Sequence, residues 1–183
     1  MIDMGYYSSL IERKFKDVVG RRYEAVIREY GDFLLSEEKM QSHEIRQILL
    51  PLDICVREVP PELYEVLSTY DAEIVVMYIT DAQVYEIIKK TSSEEAGETF
   101  RIKKEDYGHA LVEEISREFN SRGLSVQKRM FLGSKGEQVI TSSSEFDLLA
   151  LSKCFGDGSG QKGYSSPLAM HITQTVNIPT ILY

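Results

Sequence analysis

From Ile45 onward, short continuous apolar runs alternate with segments whose apolar residues recur every three or four positions. The runs are IRQILLPLD (45–53), EIVVMYITD (73–81), FDLLALS (146–152) and IPTILY (178–183), with LSVQKRMFLG (124–133) as a more evenly alternating fifth. Runs this short, ended by turn residues, read as strands, and their apolar character on both faces is that of a covered sheet. Helical patterns lie between them. PPELYEVLSTY (60–70) opens on prolines, which suit a first turn. The segment from Glu105 to Arg122 sets Tyr107, Leu111, Ile115 and Phe119 on one face and closes at Gly123. GEQVITSSSEF (136–146) is a shorter helix, and SPLAMHITQTV (166–176) has Ser166 as N-cap and Pro167 as its first residue. TSSEEAGETF (91–100) has no core-forming pattern and reads as a mobile loop. Strands alternating with helices predict an α/β fold: an open, doubly wound, five-stranded parallel sheet of the Rossmann type.

The chain before this texture differs. Residues 7–35 carry one apolar stripe, with Ile11, Phe15, Val18, Tyr23, Val26 and Tyr30 at helical spacing and a bend expected near Gly20. SEEKMQSHE (36–44) is a polar connection. The reading is therefore an N-terminal helical extension over 1–44 and an α/β domain over 45–183. The stripe must cover its own domain or a protein partner.

Charge and composition narrow the function. A net charge of −8 leaves no basic surplus to neutralise phosphates, which argues against nucleic acid or an anionic membrane as partner. No apolar run approaches the roughly 18 residues of a membrane span, and MIDMGYYSSL lacks the basic start of a signal peptide, so a cytoplasmic protein is expected. Cys55 and Cys154 give neither a metal spacing nor a disulfide framework. His43, His109 and His171 fall in a linker and on separate helices, Thr141–Ser144 closes a helix, and Glu94–Glu95 and Glu113–Glu114 read as solvated charges. Nothing nominates a general acid, base, nucleophile or metal ligand set, so a non-catalytic protein is expected.

In an open parallel sheet a ligand binds beyond the carboxyl ends of the strands, where the strand order reverses. Those ends carry Pro51, Leu52 and Asp53; Ile79, Thr80 and Asp81; and the glycine-rich stretch SKCFGDGSGQKGYSSP (152–167). The helix behind that stretch turns its N-terminus toward the same crevice. The stretch lacks the spacing of a Walker loop, which needs G-x-x-x-x-G-K and then a hydroxyl residue.

ILLPLD, EIVVMYITD and the glycine-bearing fourth crossover ending in NIPTILY resemble the universal stress protein family over about residues 45–183. The resemblance implies that family's adenine nucleotide alpha hydrolase-like fold. It implies homodimerisation through the C-terminal strand, Ile178–Tyr183, and a site for ATP or AMP. Members that bind ATP share Pro-Thr-Asp after the first strand, which Pro51, Leu52 and Asp53 match at two positions. Asp53 would meet the adenine or ribose edge and Ile79 the pocket wall. The family's phosphate loop, G-x-x-G, nine residues, then Gly-Ser or Gly-Thr, is degenerate here. Ser152 stands at the first glycine, Phe155 or Gly156 at the second, and Ser165–Ser166 or Ser166–Pro167 at the final pair. Ser152 narrows the backbone's approach to phosphate, Pro167 removes a donor and Asp157 repels the ligand. Gly156, Gly158 and neighbouring glycines leave room for an anion nest, and Lys153 or Lys162 offers a charge. The expectation is a stress-response or signalling module with weak or absent nucleotide binding. The alternative is an ATP-binding protein or nucleotide hydrolase using the same crevice.

Overall fold

The computed structural model describes residues 44–157 and 164–183. The stripe of residues 7–35, His43, Gly158 and Lys162 lie outside the described residues. Glu44–Tyr183 forms one compact unit, with the elements β1 (Gln47–Leu52), α1 (Pro61–Leu67), β2 (Glu73–Asp81), α2 (Ala82–Thr91), α3 (Glu94–Ser121), β3 (Val126–Gly133), α4 (Lys135–Ser143), β4 (Leu148–Leu151), α5 (Pro167–Thr175) and β5 (Thr180–Leu182).

The five strands form one sheet in the order β3-β2-β1-β4-β5, and every pair is parallel. The expected doubly wound α/β sheet is thus the observed one. Burial follows from this order. Central β1 is covered from Ile48 to Leu52 and β2 from Ile74 to Thr80, so both read as unbroken apolar runs. Edge strand β3 mixes exposed and half-buried positions, which explains its alternation in the sequence. Asp147 fixes the start of β1: its carboxylate accepts the backbone N–H groups of Arg46 and Gln47 at 2.9 Å each.

Helices α1 and α3 pack together where Tyr64 meets Phe119, with ring centroids 4.7 Å apart. Helix α3 lies so close to β2 at Gly108 that a Cβ there would stand 2.4 Å from the Tyr78 ring. Helix α4 packs on α5, and with right-handed crossovers the reversal of strand order between β1 and β4 sends this pair to the opposite face.

One expectation is overturned. Residues 91–100 are not a mobile loop: Thr91 completes α2, and α3 begins at Glu94. Asp81 caps α2 by accepting the N–H groups of Gln83 and Val84, and the Ser93 hydroxyl caps α3 by accepting that of Ala96. Lys89 pairs with Glu94 at 2.8 Å, and Glu98 takes both the Tyr85 hydroxyl and Arg101. Buried Gly97 lets the two helices meet, its notional Cβ only 3.1 Å from that of Lys89. Caps, charges and a small residue hold this pair, and none of them shows in an apolar pattern. The other elements predicted within the described residues are present: β2 has the predicted bounds, α3 begins well before the predicted Glu105, and α4 begins one residue before the predicted start and ends earlier.

Candidate functional site

Strand order reverses between β1 and β4, which puts the crevice of an open α/β sheet beside the first residue after β1, Asp53. Its carboxylate is fully buried and fully engaged. One oxygen accepts the N–H of Cys55 at 3.0 Å. The other accepts the Lys135 ammonium at 2.8 Å and the Gly156 N–H at 2.9 Å. Lys135 is the first residue of α4, its side chain 10% exposed, and its ammonium also stands 3.8 Å from Asp81. Burial works against that ammonium, but Asp53 overcomes it and holds the pKa above the ordinary lysine value. The Cys55 thiol is pushed up to about 11, mainly by burial and further by Asp53, so it is a poor nucleophile near neutral pH.

Of the residues expected to line a nucleotide site, Pro51, Leu52, Asp53, Ile79, Ser152 and Ser166 are buried at or near this crevice. The polar groups after β4 bond inward. The Ser152 hydroxyl accepts the Cys154 N–H, and the Lys153 N–H donates to the carbonyl of Tyr183 at 2.7 Å. Gly156 adopts φ +82°, a conformation glycine supplies without strain, and this turn aims its N–H at Asp53. Ser166 caps α5 as its sequence position predicts, accepting the Ala169 N–H while its own hydroxyl donates to the Phe155 carbonyl. Ser165 is half-buried and Lys153 is exposed, its side chain among none of the crevice bonds described.

Sequence reasoning missed Lys135. It sits in the polar stretch GSKGEQ, 82 residues from Asp53, and no local pattern marks it. A signal existed: a buried carboxylate requires a cation or several donors, so Asp53 called for a lysine at another strand end.

On the β2 side of Asp53 the crevice opens into a cavity of about 230 Å³. Ile54, Tyr78, Ile79, Val84 and Phe100 give it apolar walls, and Thr80, Asp81, Lys104 and Lys135 add polar and charged groups, so Ile79, expected in the wall of a nucleotide pocket, lines this cavity. The Thr80 hydroxyl is buried without a hydrogen-bond partner among the described residues. An orphan of this kind costs about 1–3 kcal/mol. Among the described residues no group of three or more His, Cys, Asp or Glu is placed to hold a metal ion, and no helix is long and apolar enough to cross a membrane.

A five-stranded parallel sheet with a crevice at its switch point defines an open, doubly wound α/β protein. Within that class the chain has the universal stress protein fold. UspA from Lactobacillus plantarum superposes with a TM-score of 0.62 at 10% identity, covering 77% of this chain and 99% of that one. A universal stress protein family member from Burkholderia pseudomallei gives 0.58 at 12% identity, covering 78% and 98%. The hypothetical protein MJ0577 gives 0.63 at 14% identity, covering 76% and 96%. No family model and no curated protein matches the sequence.

Proposed function

We propose that this chain is a non-catalytic stress-response or signalling module of universal stress protein type, acting in the cytoplasm as a homodimer, with weak or absent adenine-nucleotide binding. The observation that carries the reading is the engagement of Asp53. In an ATP-binding relative this carboxylate is expected to meet the nucleoside, and the glycine turn after β4 to meet phosphate. Here Lys135 and the Gly156 N–H bond to Asp53 itself. A nucleotide would have to break a buried ion pair and re-form donors that are already satisfied.

The remaining candidates, Pro51, Leu52, Ile79, Ser152, Lys153, Gly158, Ser165 and Ser166, would at most form the wall of a poor site. The dimer reading rests on β5, an edge strand with half-buried Thr180, Ile181 and Leu182, which pairing across a two-fold axis would cover. The free thiols Cys55 and Cys154 suit a reducing compartment. The N-terminal extension, residues 1–44, is proposed to recruit a protein partner.

Mass analysis of the purified chain after denaturation tests the central claim. The expected result is protein free of ATP and AMP; a stoichiometric nucleotide overturns it, and sustained ATP turnover with magnesium overturns the non-catalytic reading. Sizing a dilute sample should give a dimer, whereas a compact monomer near 20.9 kDa sinks the edge-pairing claim.

A further inference from the structure

Two glycines beside the crevice make room for one of the chain's own side chains. A Cβ at Gly156 would collide with the end of the Leu168 side chain and stand 2.9 Å from its Cβ. A Cβ at buried Gly136 would stand 2.9 Å from the Leu168 Cδ1. Leu168, the second residue of α5, is therefore wedged between the turn after β4 and the first turn of α4. A half-buried apolar side chain thus lies against the glycine turn, where a phosphate would need backbone N–H groups. Few of those are on offer. Pro167 has none, Ala169 donates its own to Ser166, and Gly156 directs its own at Asp53.

Lys135 acts from the α4 side. Its ammonium gives Asp53 a donor at 2.8 Å, as a hydroxyl or amine of a nucleoside would. The cavity on the β2 side stays open at about 230 Å³, so the closure lies at Asp53 and at the glycine turn. Charge decides what could take the lysine's place. Asp81 stands 3.8 Å from the same ammonium, and Asp157 follows Gly156 in the turn. Without Lys135 these carboxylates and Asp53 favour a neutral donor over a phosphate. We infer that Lys135 and Leu168 form an internal plug that stands in for the two halves of a nucleotide: the lysine for the nucleoside's donor at Asp53, the leucine for the phosphate at the glycine turn.

The plug presupposes the weak or absent nucleotide binding of the proposed function and assigns it to two residues, one for each half of the ligand. Calorimetric titration of the full chain and its variants with adenosine and with ATP tests it. The unaltered chain should bind neither at millimolar concentration. Lys135→Ala keeps the Cys55 and Gly156 bonds to Asp53. It should gain affinity for adenosine by about tenfold or more, equivalent to about 1.4 kcal/mol, with no gain for ATP. Adding Leu168→Ala should narrow the preference for adenosine over ATP by a further factor of about ten. Lys135→Arg keeps a cation on Asp53 and should stay closed. Thermal unfolding with and without adenosine shows which variants fold and reports binding independently. Where Lys135→Ala does not fold, Lys135→Gln, which leaves Asp53 a neutral donor, should show the same order. A folded Lys135 variant with no gain for adenosine, or Lys135→Arg opening as far as Lys135→Ala, overturns the lysine half. An adenosine-to-ATP ratio unmoved by Leu168→Ala overturns the leucine half. Adenosine or ATP bound by the unaltered chain defeats instead the closed crevice itself.

Discussion

On the β4 side of Asp53 the crevice's donors are bonded within the chain, whereas on the β2 side a hydroxyl and an ammonium are not. The first side holds Cys55, Gly156, Ser152 and Ser166, all directed at the protein's own carboxylate, carbonyl or N–H groups. The second holds Thr80 and Lys104 against an apolar wall. A buried polar group is stable only when satisfied, so the two sides answer the same requirement differently. One is complete without a ligand. The other leaves room for one. The presence of glycines at the right address therefore says little about binding until the partner of each donor is known.

The largest test of this contrast is Asp53→Ala. It strands the Lys135 ammonium and the N–H groups of Cys55 and Gly156, so urea denaturation should show a loss of about 3–5 kcal/mol. A loss below about 1 kcal/mol would mean that the closed side is not held by this carboxylate. Gly156→Ala should cost about 1–3 kcal/mol, because φ is +82° and a Cβ would stand 2.4 Å from the Leu168 side chain. Its denaturation midpoint should fall further than that of a matched substitution on the open side, such as Lys104→Ala. Ser166→Ala removes the α5 cap and a bond to the Phe155 carbonyl, with an expected loss of about 1 kcal/mol by the same measurement.

The smallest effect is alkaline. Folding raises the Cys55 pKa from 9.0 to about 11, so the folded state holds a proton that the unfolded state releases. That contribution is complete below pH 9 and is lost as pH rises toward 11. Lys135, also raised, acts in the same direction at higher pH: its contribution is present below the ordinary lysine pKa and lost as pH passes the folded value. Stability against pH should slope downward above pH 9, and Cys55→Ala should flatten the first part of that slope.

Much of the fold was legible because sheet burial writes itself into continuous apolar runs. β2 runs over Glu73–Asp81 as read from EIVVMYITD, and Ser166 caps α5 as SPLAMHITQTV implies. Helix α2 was not legible for the converse reason. It has no buried residue; its start is set by the Asp81 cap, and the turn into α3 by Ser93 and the Lys89–Glu94 pair, rather than by a core stripe. The crevice was half legible. Strand ends located Asp53 and Gly156, but Lys135 joins them through folding and not through sequence spacing. Lysines within the glycine stretch drew attention by proximity, yet Lys153 is exposed.

The bonds of Asp53 to Lys135 and Gly156 join positions 82 and 103 residues apart. Contacts of such separation bear more loop-closure entropy than local ones and are expected to form after the local helices and the β1–β2 pairing. The carboxylate is thus expected to contribute little to the folding transition state. Its removal should leave the refolding rate nearly unchanged and quicken unfolding, so that Asp53 sets how long the native state persists more than how fast it is reached.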